Sequence, residues 1–290
     1  MKTMYHIWLA AAVTLVAATS CSNENALTED NQSNKEIRLN CVHPSASRVT
    51  DTNFEAQDQI GVYMVTEGEK LQIGGNELNN EQFNYDGATW TSVRSCFWND
   101  GTHDIYAYYP YATTISDTDN YPFTVSTDQS TPDGYEASDF LWASRAGVTA
   151  SAEAVTLTFK HCLSKIKVKL LKSEDFTGEI PDNCEVYIHN LVPMALVDLQ
   201  TGSVEADPYT AAESIKCRKL STTEFTACVV PQFISSRRPL VEVVTSNVSY
   251  MLEGTISLKQ GYQSTISVTL SQNPEQVSIE IGGGMGEWNN

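Results

Sequence analysis

The segment Val155–Leu171, VTLTFKHCLSKIKVKLL, constrains the fold of this chain more than any other. Apolar residues stand at Val155, Leu157 and Phe159, and again at Ile166, Val168 and Leu170. A period of two puts such a set on one face of a pleated strand. The centre, His161-Cys162-Leu163-Ser164, interrupts the phase, which predicts two strands joined by a bend or crossover. The same pattern recurs along the chain. Ile37, Leu39 and Cys41 alternate with Arg38 and Asn40, predicting a first short strand over 36–42. The run 58–65, DQIGVYMV, reads as an apolar strand in which Gly61 marks a bulge or a close approach. Asp86-Gly87 is a tight-hairpin dipeptide inside Phe83–Trp90. His103–Tyr111 holds four tyrosines, with Pro110 marking a strand end or sheet edge. Phe140–Ala143 is a short apolar piece. Further strands are expected at 184–191, 194–199, 215–220, 225–234, 239–246, 248–254, 262–271 and 276–281. Turn residues separate them, as in Gln200-Thr201-Gly202 and Gln260-Gly261. No amphipathic helix of three turns emerges. The fold class is therefore all-β, built of sandwich-like domains. The phase break near Thr158–Lys160 divides an N-terminal domain, 36–158, from a C-terminal one, 159–290.

Upstream of these strands the chain has a different character. Lys2 precedes an apolar stretch from Ile7 to Ala18, which closes on Ala18-Thr19-Ser20-Cys21. An apolar run too short to span a bilayer, followed by small residues, reads as a secretory signal over 1–20. Residues 21–35 are polar, rich in Asn, Ser, Glu and Asp, and read as a disordered spacer. Losing residues 1–20 removes Lys2 and no acid, moving the formal net charge from −18 to −19. A surface this acidic repels phosphate backbones, so nucleic acid is excluded as a partner.

The chemistry-bearing residues form no legible catalytic constellation. Six cysteines follow Cys21, namely Cys41, Cys96, Cys162, Cys184, Cys217 and Cys228, widely spaced and without a Cys-x-x-Cys pair. Most lie among apolar residues, which suits unpaired core thiols. His43, His103, His161 and His189 have no metal-ligand spacing, so neither a metal nor a cofactor is expected. His161 and Cys162 are adjacent, but strand neighbours point to opposite faces and cannot pair as nucleophile and base. Asp117-Thr118-Asp119-Asn120 lacks the full calcium loop and reads as a solvated acidic turn. The aromatics Trp90, Trp98, Tyr106, Tyr108, Tyr109, Tyr111 and Trp142 offer two readings, a sugar-stacking platform or core and cross-strand packing; packing is favoured. A non-enzymatic protein is expected.

Several segments, in this order, are similar to the fimbrillin family, the lipoprotein pilins of gut and oral Gram-negative anaerobes. The first is Ser47-Arg48-Val49-Thr50, then Phe54-Glu55-Ala56-Gln57-Asp58-Gln59-Ile60-Gly61-Val62-Tyr63, with Gln57 where the family usually has glycine. Next come Tyr106-Ala107-Tyr108-Tyr109-Pro110, Asp139-Phe140-Leu141-Trp142-Ala143 and Phe159-Lys160-His161-Cys162-Leu163-Ser164-Lys165-Ile166. Val230-Pro231-Gln232, the Gly261-Tyr262 turn and Trp288 complete the match. The resemblance implies two transthyretin-like β-sandwich domains in tandem. It implies lipid (palmitate) on Cys21, export through the periplasm to the outer membrane, and cleavage after Arg48 by an arginine-specific protease, with Arg38 as a competing site. It further implies a fimbrium at the cell surface, in which loss of the strand carrying Ile37, Leu39 and Cys41 opens a groove for a strand of another subunit. A C-terminal segment, Gln276–Ile281, is the expected donor. A tip or anchor subunit that does not polymerise, and a surface glycan-binding lipoprotein, are the alternative readings.

Overall fold

The computed structural model describes residues 35–44, 53–235, 238–245, 248–282 and 286–288. The chain enters as β1 (Leu39–Val42) and then lays down β2 (Gln59–Thr66), β3 (Leu78–Tyr85), β4 (Trp90–Ser92) and β5 (Thr102–Tyr109). After β6 (Tyr121–Thr124) and the helix α1 (Pro132–Glu136), it returns as β7 (Leu141–Thr149), β8 (Val155–Thr158) and β9 (Lys160–His161). One antiparallel sheet runs in the spatial order β4-β3-β2-β5-β7-β9, while β1 and β8 form a separate parallel pair. The fold is all-β; α1 is a single turn, capped where Thr131 Oγ1 accepts the Gly134 N–H.

The rest of the chain begins with β10 (Ser164–Lys172), β11 (Glu185–Leu191), β12 (Met194–Val197), β13 (Val204–Ala206), β14 (Glu213–Lys216) and β15 (Arg218–Lys219). It continues with β16 (Glu224–Val229), β17 (Phe233–Ile234), β18 (Pro239–Val244), β19 (Ser249–Glu253) and β20 (Ile256–Ser257). It closes with β21 (Tyr262–Leu270), β22 (Ser278–Ile281) and β23 (Gly286–Glu287). The order β15-β16-β10-β21-β22 makes one sheet, in which β23 also pairs with β21, and β14-β11-β18-β19 makes another. Both contribute side chains to one apolar core, through Ile166, Val168 and Leu170 of β10, Val186 and Ile188 of β11, and Ile266 and Val268 of β21.

The sheet centred on β2 is buried on both faces. Ile60, Val62 and Met64 face a core shared with Phe83, Trp98, Ile105, Leu141, Leu157 and Phe159. Tyr63 and Val65 face the other way, into the core that holds β10 and β21. Two-sided burial is why 58–65 reads as a continuous apolar run and not as an alternation. The N-terminal and C-terminal halves also share a ladder, since β6 pairs antiparallel with β12. Trp142 ties them again, donating its indole N–H to the Leu199 carbonyl at 2.8 Å.

The phase break at His161–Ser164 is a bend, as its pattern predicts. The Phe159 N–H binds the Val42 carbonyl, and the Cys162 N–H binds the Phe140 carbonyl, so the bend moves the chain from β1 to the start of β7. Three features differ from the sequence reading. β7 runs on to Thr149 although only Phe140–Ala143 carries an apolar signal; from Ser144 to Gly147 its side chains are exposed, and pairing with β5 alone holds it. β6 contains Pro122, which an edge strand tolerates because its free side needs no donor. The Asp86-Gly87 turn is a four-residue loop in which Asp86 Oδ1 accepts the N–H groups of Ala88 and Thr89 at 2.8 and 2.7 Å. Those bonds hold the Asp86 carboxyl below the usual carboxylate range.

Gly61 is a close approach, as its place inside an apolar strand suggests. A Cβ there would lie 2.2 Å from the Tyr108 ring and 2.6 Å from Asn80 Oδ1. Tyr108 is fully buried and donates its hydroxyl to Asn80 Oδ1 at 2.7 Å, so its ring has no room to retreat. Gly61→Ala is therefore expected to destabilise the fold by about 1–3 kcal/mol, the usual range for overpacking a core, as read by urea unfolding.

Candidate functional site

The first strand is held by partners far from it in sequence. Its register with β8 is Leu39–Val155, Asn40–Thr156, Cys41–Leu157 and Val42–Thr158, all parallel. The Val155 N–H binds the Arg38 carbonyl at 2.8 Å, and the Phe159 N–H binds the Val42 carbonyl at 2.9 Å. At its entry the Ile37 N–H binds the Cys96 carbonyl at 2.8 Å, while the Trp98 N–H reaches the Lys35 carbonyl at 3.0 Å. Two separate seams thus bracket one short ribbon.

The side chains follow the alternation. Ile37 and Leu39 are 3% and 6% exposed and Cys41 is half-buried, all three against the core that holds Leu157, Phe159 and Trp98. Arg38, Asn40 and Val42 are exposed. Full burial of two aliphatic side chains contributes about 3–6 kcal/mol, a large share of the roughly 5–15 kcal/mol by which a domain is stable. Withdrawing this ribbon would uncover Leu157, Phe159 and Trp98 and leave N–H and C=O groups of 96–98 and 155–159 without partners. An open edge of that kind recruits another strand.

Beyond β1 an aromatic cluster seals the end of the core. His43 meets Phe54 edge-on at 5.0 Å between ring centroids, and Phe54 meets Trp90, Phe159 and Tyr109 in the same manner at 5.0, 5.3 and 5.8 Å. A cleft of about 100 Å³ beside it is lined by Glu55, Asp58, Glu136 and Asp139 together with Tyr109 and Tyr135. Structure uses these carboxylates. Asp58 accepts from the Glu55 N–H at 2.7 Å and from the Tyr109 hydroxyl at 3.2 Å, and Asp139 meets His161 Nδ1 at 3.0 Å. Burial, reinforced by Asp58, raises the Tyr109 phenol above its ordinary range and keeps it a donor. Phe54 is the hub of this cluster, a role with no periodic signal in the sequence because it is a lone phenylalanine in a polar stretch.

Cys21 and Arg48, the residues marked for lipidation and cleavage, lie outside the described residues. Arg38 has an exposed side chain, but its carbonyl is bound to β8 and both neighbours are buried. A protease taking the Arg38–Leu39 bond would first have to peel β1 from its sheet. At the other end, β22 is an edge strand paired only with β21; Ile279 and Ile281 are half-buried while Ser278 and Glu280 are exposed.

Other marked residues serve the fold. Cys41, Cys96, Cys162, Cys184 and Cys217 carry free thiols, and burial raises each of them above the ordinary thiol value. Cys162 contacts the Lys160 carbonyl, while His161 addresses Asp139. Asp117 spends its carboxylate on the N–H groups of Asp119 and Asn120, and Asp119 pairs with Lys70 at 2.6 Å. Trp90, Trp98 and Tyr108 are buried, and Tyr106, Tyr109, Tyr111 and Trp142 are half-buried, so they form no exposed stacking row. Among the described residues no helix is long and apolar enough to cross a membrane.

These observations define an all-β protein whose most distinctive feature is a terminal strand seated in its core. The chain belongs to the fimbrillin-like family, whose model matches residues 47–288, a span that begins after β1. Comparison with curated proteins returned no match. Among solved structures, the chain is similar to a candidate cell adhesion protein from Bacteroides ovatus, with a TM-score of 0.71 and 21% identity over 88% of this chain and 98% of that one. A candidate cell adhesion protein from Bacteroides uniformis gives a TM-score of 0.67 and 19% identity over 87% and 99%. A fimbrial protein from Bacteroides vulgatus gives 0.53 and 14% over 88% and 100%. At these identities the likeness is one of fold.

Leu39→Ala is expected to cost about 2–5 kcal/mol, since it removes a buried leucine from a seat that β1 fills alone. Asn40→Ala, on the exposed face of the same strand, is expected to stay within about 0.5 kcal/mol. Paired denaturant titrations of the two variants measure the contrast.

Proposed function

We propose that this chain is a fimbrial structural subunit and not an enzyme. In this reading it is exported as a lipoprotein acylated on Cys21 and carried to the outer membrane. An arginine-specific protease then cuts after Arg48, which separates the lipid and β1 from the folded body. The vacated seat takes a strand from another subunit, and the resulting fimbrium supports adhesion at the cell surface.

One observation carries the reading: β1 fills a core groove with alternate apolar side chains, and the backbone bonds described for it run to segments remote in sequence. A strand paired in this way can leave while the ladders of the other sheets stay intact. Its sheltered Arg38 carbonyl favours a cut downstream of the strand. The donor is the C-terminal segment 276–281, whose Val277, Ile279 and Ile281 repeat the spacing of Ile37, Leu39 and Cys41. Strand addition of this kind draws affinity from main-chain bonds and specificity from alternate side-chain pockets.

Treating the purified precursor with an arginine-specific protease tests the proposal. Cutting after Arg48 should convert monomers into ordered multimers visible by electron microscopy. If the cut body keeps its fold and no multimers form, the shaft-subunit reading fails. Cys96 supplies a second gauge, because its thiol is buried beside the seat and raised chiefly by that burial. Reaction with N-ethylmaleimide, followed by peptide mapping, should be slow in the intact chain. It should quicken after the cut and slow again once a donor strand fills the groove.

A further inference from the structure

The residue that follows the proposed plug strand and a residue beyond the proposed donor strand meet through a pair of imidazoles. His43, immediately after β1, stands edge-on to His161 at 5.8 Å with an interplanar angle of 79°. His161 lies flat against Trp288, with ring centroids 3.8 Å apart and planes 6° from parallel. Its Nδ1 is fixed by Asp139 Oδ1 at 3.0 Å, which sets the orientation of the ring between the two neighbours. A groove of about 490 Å³ has Val42, His43 and Pro44 along one part of its wall and Gly261, Tyr262 and Glu287 along another. The end of β1 and the β21–β23 contact thus border the same space.

Among the described residues β23 joins β21 at Tyr262 and Gln263, and β22 is a short edge strand paired with Ile266–Thr269 of β21. Trp288, by contrast, is 2% exposed, donates its backbone N–H to the Gly261 carbonyl at 2.7 Å and has Lys165 Nζ 5.3 Å from its ring. Trp288 anchors the part of the tail that carries β23, while β22 is held by its own ladder to β21.

We infer that the contact chain His43–His161–Trp288 couples the two ends: while β1 is seated, His43 backs the imidazole that clamps Trp288, and loss of β1 loosens the tail. This inference rests on the reading of β1 as a removable plug. It adds that the subunit withholds its own C-terminal strand until its groove has been emptied. The coupling acts by shifting a tail-docked equilibrium toward a tail-open one.

Hydrogen exchange of the full chain tests the coupling, read at the Trp288 amide with Val168 as the reference for global opening. In His43→Ala the Trp288 amide should exchange about 2- to 12-fold faster, the range that loss of one aromatic contact supplies, with Val168 unchanged. In His43→Phe, which keeps an edge-on ring, it should stay near the wild-type rate. Equal acceleration in both variants, or in neither, overturns the coupling. Should His43→Ala lose protection at Val168 as well, the protease-cut chain carries the test. A faster Trp288 amide there supports the coupling, and an unchanged one overturns it. Cut protein that loosens its tail yet forms no multimers would sink the subunit reading while leaving the coupling standing. Multimers that form with Trp288 still protected would do the reverse.

Discussion

The parallel seam between β1 and β8 is the constraint on which the rest of this structure depends. A sandwich core is closed only when the polar backbone around its rim is paired. Here the last gap lies between the 96–98 segment and β8. It is filled by a ribbon whose carbonyls at Lys35, Arg38 and Val42 accept from Trp98, Val155 and Phe159.

The contrast with β2 makes the point. β2 is hydrogen-bonded on both sides, to β3 and β5, and buried on both faces, so it cannot move without dismantling two cores. Gly61 and Tyr108 lock it further, since the tyrosine ring occupies the space that a side chain would need. This sheet is a rigid wall common to both cores. The seat of β1 is built against that wall, with Ile60, Val62 and Met64 in the same core as Ile37 and Leu39. A close-packed floor of this kind holds the seat in shape around Ile37 and Leu39.

Much of this was legible before any coordinates. The strands over 37–41, 58–65, 103–111 and 155–171 announce themselves because alternating or continuous apolar runs have no other stable home in water. β7 beyond Ala143 was not legible, because its exposed residues carry no apolar signal and only the ladder with β5 makes them a strand. β6 was hidden by Pro122, which argues against a strand until its edge position is known. At the candidate site, the inward set Ile37, Leu39 and Cys41 could be read from their spacing. Phe54 and the stacking of His161 on Trp288 could not, since those partners are brought together only by the bend and the returning tail.

By itself, the sequence determined the all-β class, the period-two faces, the acidic surface and the run of small residues ahead of Cys21. Each of these is a local property, set by side-chain chemistry and by the pleat of an extended backbone. Tertiary structure alone decided which strand closes which core. Pairing β1 with β8, or His43 with Trp288 through His161, joins residues more than a hundred positions apart. No local preference encodes that choice. It follows from the one packing in which every buried face is covered and the backbone at the rim of the β1 seat finds its partners.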